Sequence, residues 1–110
     1  MVDKWLEMGQ KNLEQGDTIE RTYPAMYNRK SGYLLVAKKK LMFVSEEGLF
    51  GKKYNMMFDM PYQRIGNIAQ TRTYVLEITE TDGRKHDLTF EFNASNVQKV
   101  LEEFRPPVRS

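Results

Sequence analysis

The chain has a single histidine, His86, placed between Asp82 and Asp87, and it has no cysteine. An imidazole near carboxylates is material for general acid–base catalysis or a metal centre. Either use needs further groups: an activated nucleophile in the first case, three or four ligands in the second. Neither a second histidine nor a thiol exists to supply them. An HExxH helix, a phosphate-binding Gly-Lys-Ser/Thr loop, a dinucleotide glycine motif and a Gly-x-Ser-x-Gly elbow are absent from the sequence. His86 therefore reads as a strand-end histidine, and the chain as a non-catalytic protein without metal or cofactor.

Three basic pairs form the next set of groups: Arg29 and Lys30, Lys52 and Lys53, Arg84 and Lys85. Gathered in space they would hold an anion, and Leu49 and Phe50, close to the middle pair, would add an apolar wedge for a membrane interface. Glu46, Glu47, Glu80 and Asp82 lie among them and oppose that field. A formal net charge of only +2 gives no bulk attraction to nucleic acid. Tyr62, Arg64, Arg72 and Tyr74 interleave stacking and cationic groups as single-strand binders do. Spread over thirteen residues, that pattern reads better as core tyrosines and a solvated turn, so nucleic acid is not an expected partner.

Alternating patterns must position these groups. Leu76 and Ile78 answer Leu88, Phe90 and Phe92 across Thr81-Asp82-Gly83. An Asp-Gly pair favours a two-residue type I′ loop, which would set Ile78 opposite Asp87 and Leu76 opposite Thr89. A three-residue loop sets Ile78 opposite His86 and Leu76 opposite Leu88. Side-chain parity selects the three-residue loop, with Gly83 left-handed in a bulge and Glu80 beside Arg84. Upstream, pairing Val36 with Leu41 and Leu34 with Phe43 aligns two strands around Lys38-Lys39, whose turn type stays open. Tyr54, Met56, Phe58 and Met60 alternate along a further strand ended by Pro61. Thr18 to Tyr27 reads as a first strand bent at Pro24 and followed by a turn over residues 28–32, and two more strands cover Gly66 to Gln70 and Tyr74 to Thr79.

A short helix is expected over Asp3 to Leu13, where Gly9 costs about 1 kcal/mol relative to alanine. A last helix begins near Asn93 or Ser95, with Ser95 and Gln98 at capping-box spacing. It buries Val97, Val100, Leu101 and Phe104 before Pro106 and Pro107 end it. Alternation also makes one sheet apolar on both faces. If Leu34, Val36, Leu41 and Phe43 point inward, then Tyr33, Leu35, Met42 and Val44 point outward, and Met57 joins them from the next strand. Two fates are open to that outward set: cover by the N-terminal helix through Trp5, Leu6 and Met8, or contact with another chain.

The run Gly32-Tyr33-Leu34-Leu35-Val36-Ala37-Lys38-Lys39-Lys40-Leu41-Met42-Phe43-Val44 resembles the signature hairpin of GRAM and bacterial pleckstrin-homology-like (PH-like) domains. Met60-Pro61-Tyr62-Gln63-Arg64-Ile65 resembles their following segment, and Asp82-Gly83 their late hairpin. Ala37 stands where threonine is usual, Lys40 where arginine is, and Gln63-Arg64 where an acidic residue is common. The resemblance covers roughly Thr18 to Phe104. It implies a mainly β fold, a partly open barrel of seven antiparallel strands in two nearly orthogonal sheets, capped by the C-terminal helix. Residues 1–17 would be an N-terminal helical extension, 18–105 the domain and 106–110 a tail. It also implies that the three connections bearing the six cations gather at the open end.

The expected function is non-catalytic contact, first with a protein partner or with copies of the same chain through Tyr33, Leu35, Met42, Val44 and Met57. The alternative is an anionic lipid headgroup, held by Arg29, Lys30, Lys52, Lys53, Arg84 and Lys85 with Leu49 and Phe50 as the wedge. The first residues read as neither a secretory signal nor a transit peptide, and no run approaches the roughly 20 apolar residues needed to cross a bilayer. The expected location is cytoplasmic, with any membrane contact peripheral.

Overall fold

The computed structural model describes residues 3–105. Its elements are α1 (Lys4–Lys11), β1 (Ile19–Tyr27), β2 (Lys30–Ala37), β3 (Lys40–Glu47), β4 (Lys53–Pro61), a 3-10 turn (Tyr62–Arg64), β5 (Ile65–Arg72), β6 (Val75–Glu80), β7 (Lys85–Thr89) and α2 (Ser95–Phe104). Pro106 and Pro107, and with them the expected tail over 106–110, lie outside the described residues.

The strands form one antiparallel sheet in the order β4-β3-β2-β1-β7-β6-β5. The two sheets expected from the sequence are two halves of this one, joined where β1 pairs with β7 at Met26↔Thr89 and Tyr27↔Leu88. Inward residues of both halves meet in a single cluster. Leu34, Val36, Leu41 and Phe43 come from the first half, Ile68, Leu76, Ile78 and Leu88 from the second, and Val97 and Leu101 from α2. Burying side chains of this size stabilises by about 1.5–3 kcal/mol each. That outweighs the placement of Glu102 and Glu103 at the negative end of α2.

Registers follow side-chain parity where the sequence is strongly alternating. Val36 pairs with Leu41 and Leu34 with Phe43. The Lys38-Lys39 turn needs no left-handed residue, because it is held from the side: Lys38 N–H donates to Thr18 O at 3.0 Å and Lys39 N–H to Asp17 Oδ1 at 3.1 Å. Ile78 pairs with His86 and Leu76 with Leu88, Gly83 has φ 94°, and Glu80 N–H donates to Arg84 O at 2.7 Å. The three-residue loop is therefore present. The β1–β2 turn is tighter than expected. Tyr27 pairs with Lys30, and Asn28 and Arg29 carry φ of 54° and 65°, the backbone of a two-residue type I′ hairpin.

β4 departs from simple alternation. Phe43 pairs with Phe58 but Val44 with Met56, so Met57 is the extra residue of a β-bulge. On one side of the bulge Phe58 and Met60 face the main core; on the other, Tyr54 and Met56 face outward. Met57 packs against the main core, so it does not belong to the outward set, and Met56 takes its place.

At the start of α2 the expected capping box does not form. Asn93 Oδ1 accepts from Ser95 N–H at 2.9 Å, while the Gln98 amide donates to Ile68 O at 3.1 Å. Arg105 donates to Gly66 O at 2.6 Å. Both acceptors lie on β5, the outer strand of its half, and α2 thereby blunts an edge that would otherwise be open to pairing.

Candidate functional site

Two regions carry the residues singled out by the sequence. On the outer face of β2, β3 and β4, Leu35, Met42 and Val44 are each 0% exposed. With Ala37 they form a second core, closed by Trp5, Met8 and Leu13 from the α1 region and by Ile19, Tyr33, Tyr54 and Met56. Trp5 stacks on Tyr33 at a centroid distance of 3.9 Å and an interplanar angle of 12°. Gly9 has a steric reason to interrupt the helix, since a Cβ there would overlap Leu35 Cδ1. The Lys40 ammonium is buried under the end of α1, where it donates to Asn12 O and meets Asp59 at 3.2 Å. Leu35, Met42 and Val44 are thus no exposed contact patch: α1 covers them, because an apolar strand face next to an amphipathic helix loses more water by closing than by staying open.

The second region is the end that carries the β1–β2, β3–β4 and β6–β7 connections. Lys30 Nζ lies 2.5 Å from Glu47 and ties the first of these to the second; the Tyr27 hydroxyl lies 2.7 Å from His86 Nδ1 and ties the first to the third. The six cations do come to one end, but four of them face carboxylates. Besides Lys30, Lys52 meets Glu46 at 3.0 Å, Arg84 meets Asp82 at 2.8 Å and Lys85 meets Glu77 at 3.7 Å. The hydrogen bond from Lys30 holds the Glu47 carboxyl below its ordinary range, and Arg84 does the same to Asp82. The bond to Glu46 holds the Lys52 ammonium above its own. Arg29 and Lys53 have no carboxylate within 4.0 Å among the described residues.

Between β3 and β4 the chain presents Leu49 at 92% and Phe50 at 99% exposure. Gly48 and Gly51 frame them with φ of 108° and 99°, and a Cβ on Gly48 would stand 2.8 Å from Gly51 O. The chain can pinch together at the foot of the loop only with glycine there, and that pinch pushes the two apolar side chains outward.

Just inside this end is a polar network that the sequence reading passed over. His86 Nε2 lies 2.7 Å from Glu80 Oε2, and Arg64 donates to Glu80 Oε1 at 2.6 Å. The Tyr27 ring packs on Phe43, Phe58 and His86 at 5.5, 5.2 and 5.6 Å. The hydrogen bond with His86, then those from Arg64 and the nearby Arg84 charge, hold the Glu80 carboxyl below its ordinary range despite burial. Burial, followed by the Glu80 charge, pushes the Tyr27 hydroxyl up. An imidazole with its proton on Nε2 satisfies both neighbours, donating to Glu80 and accepting from Tyr27. Every member is engaged, so the arrangement braces this end of the sheet. The signal was present in the sequence: the parity that sets Ile78 opposite His86 also turns His86 and Glu80 inward.

Tyr62 is buried, with its hydroxyl donating to Ala37 O at 2.6 Å, and Arg64 is bound to Glu80, so these two form no stacking surface for bases. Among the described residues no group of three metal-ligating side chains comes together, and no helix is long and apolar enough to cross a membrane.

No protein-family model matches the chain, and no curated protein does. Among solved structures, the crystal structure of the C-terminal domain of an unknown protein from Leishmania infantum is similar, with a TM-score of 0.63 and 17% identity over 81% of this chain and 85% of that one. The likeness is one of fold. At that identity it supports a β-rich antiparallel sheet domain and carries no activity across.

Proposed function

We propose that this chain is a non-catalytic, PH-like interaction module that touches anionic lipid surfaces through the tip of its β3–β4 loop. The strand order, the core shared by both halves of the sheet and the resemblance of the Gly32 to Val44 hairpin support a partly open barrel. The observation that carries the contact is the exposure of Leu49 and Phe50 on a glycine-framed tip, with Lys52 and Lys53 following at once and Arg29 on a neighbouring turn. Inserting two such side chains contributes about 1.5–3 kcal/mol each, and each nearby cation about 1 kcal/mol. The sum, about 6–9 kcal/mol, corresponds to a reversible contact between about 0.3 μM and about 40 μM.

Co-sedimentation with vesicles of phosphatidylglycerol and phosphatidylcholine, against phosphatidylcholine alone, tests the reading. Binding should favour the anionic vesicles, weaken with salt, and vanish in the Leu49→Ser, Phe50→Ser double variant. Binding indifferent to both substitutions would refute it.

A second reading, contact of the same tip with a pocket on a protein partner, is favoured by the pairing of Lys30, Lys52, Arg84 and Lys85 with carboxylates, which leaves little net charge to attract a headgroup. A chain that ignores vesicles of both kinds, yet loses a partner when Phe50 is replaced by serine, would establish it.

A further inference from the structure

We propose that the groove on the outer face of β1 and β2, where β1 parts from β7, is a socket for a single lysine side chain of a protein partner.

The groove follows from the pairing. Tyr27 and Lys30 close a two-residue hairpin, so Ala25↔Gly32 is a hydrogen-bonded pair, and the flanking pairs Met26↔Ser31 and Pro24↔Tyr33 are not. Ala25 is buried in the main core and Gly32 has no side chain, so the outer face shows bare backbone at that pair. Pro24, Met26 and Tyr33 stand around it. On the far side the sheet opens. β1 meets β7 only at Met26↔Thr89 and Tyr27↔Leu88, and Phe90 N–H then donates to Tyr74 O at 2.8 Å as the chain leaves β1. The groove so formed has a volume of about 250 Å³, and Glu46 and Glu91 are among its lining residues.

Size, walls and charge select the occupant. Pockets that take whole small-molecule ligands run to about 300–1,000 Å³, so this one suits a single long side chain. Its walls are largely apolar: Met26 is 46% exposed, and the stack with Trp5 at 3.9 Å fixes the Tyr33 ring. Lysine lays its methylene stem along such walls and keeps its charge at their edge. No cationic side chain lines the groove. Glu46 is bound to Lys52 at 3.0 Å, whereas Glu91 has no cation within 4.0 Å among the described residues. One carboxylate is therefore left over. The backbone adds an acceptor, since Pro24 in a non-hydrogen-bonded pair turns its C=O away from β2, towards the line that β7 has left. An ammonium donates three hydrogen bonds and accepts none, which matches a carboxylate and a carbonyl on one groove. The chain's own Lys52 on Glu46 already shows that chemistry at the rim. An ethanolamine headgroup fits less well, because its stem is shorter and its phosphate would meet Glu46 and Glu91.

The proposal does not rest on lipid contact at the β3–β4 tip. The probe is n-butylammonium, a lysine side chain without its backbone, titrated into the 15N-labelled full chain at constant ionic strength. It should shift the amides of Ala25, Met26, Tyr33 and Glu91 and saturate with a Kd of about 1–10 mM. n-Butanol, which lacks the charge, and n-butyltrimethylammonium, which lacks the N–H groups, should each bind at least about fivefold more weakly. Glu91→Gln should weaken n-butylammonium by about the same factor. The peptide acetyl-Gly-Gly-Lys-Gly-Gly-amide should shift the same amides, and its norleucine counterpart should not. Equal binding of amine and alcohol, unchanged affinity in Glu91→Gln, or no shift at these amides overturns the socket. Binding of n-butylammonium or phosphoethanolamine without binding of the lysine peptide overturns the protein partner.

Discussion

The Glu80 side chain, 3% exposed, accepts from His86 and from Arg64, and removing it leaves two donors at the mouth of the sheet without a partner. Glu80→Ala should therefore cost about 2–4 kcal/mol in urea unfolding at neutral pH. The carboxyl's folded-state pKa is depressed, so its contribution is fully present above the ordinary carboxylate range and is lost as pH falls through the depressed value. Wild type should accordingly lose more stability than Glu80→Gln between about pH 7 and about pH 3. Equal losses would show that the network contributes nothing through charge.

Arg29 makes the opposite case, with φ of 65° at a position where glycine is at ease. Arg29→Gly should stabilise by about 0.5–1 kcal/mol, read as a higher urea midpoint at unchanged slope. The two residues differ in legibility. Strict alternation on β6 and β7 already turned Glu80 and His86 inward, whereas an arginine announces no left-handed turn, and the Asn28–Arg29 hairpin could not be read from residue type.

Among the elements, α2 shows how far periodicity reaches. Its spacing ranks Val97, Val100, Leu101 and Phe104 alike, but Leu101 is 0% exposed while Phe104 is half-buried, its ring near Tyr62 at 6.4 Å. Leu101→Ala should cost about 2–5 kcal/mol, more than Phe104→Ala, and thermal unfolding of the two variants checks the order. β4 was misread for a physical reason. Tyr54, Met56, Phe58 and Met60 alternate without interruption, yet Met56 and Phe58 face opposite sides because Met57 bulges between them. A bulge adds one residue and leaves no mark on a period of two. Gly9 was legible only as a cost, since its neighbour Leu35 lies 26 positions away in the chain.

For the whole molecule, the sequence showed a sheet apolar on both faces, but could not choose between a helix and another chain as its cover. The structure closes that face with α1 and leaves Leu49 and Phe50 as the most exposed apolar pair among the described residues. The sequence order already set Glu46, Glu47, Glu80 and Asp82 among the basic connections as opposing charges, and Lys30, Lys52 and Arg84 do pair with Glu47, Glu46 and Asp82; the pairing of Lys85 with Glu77, from the neighbouring strand, depends on side-chain reach that no linear pattern contains. The central claim is that contact begins at the tip. The most direct measurement is a 15N-labelled full chain titrated with small phosphatidylglycerol-containing vesicles, following amide signals residue by residue. Attenuation centred on residues 48–53 and on Arg29, with Tyr33 to Val44 unchanged, is the result expected. Attenuation centred on β2, β3 and α1, or none at any lipid concentration, would contradict it.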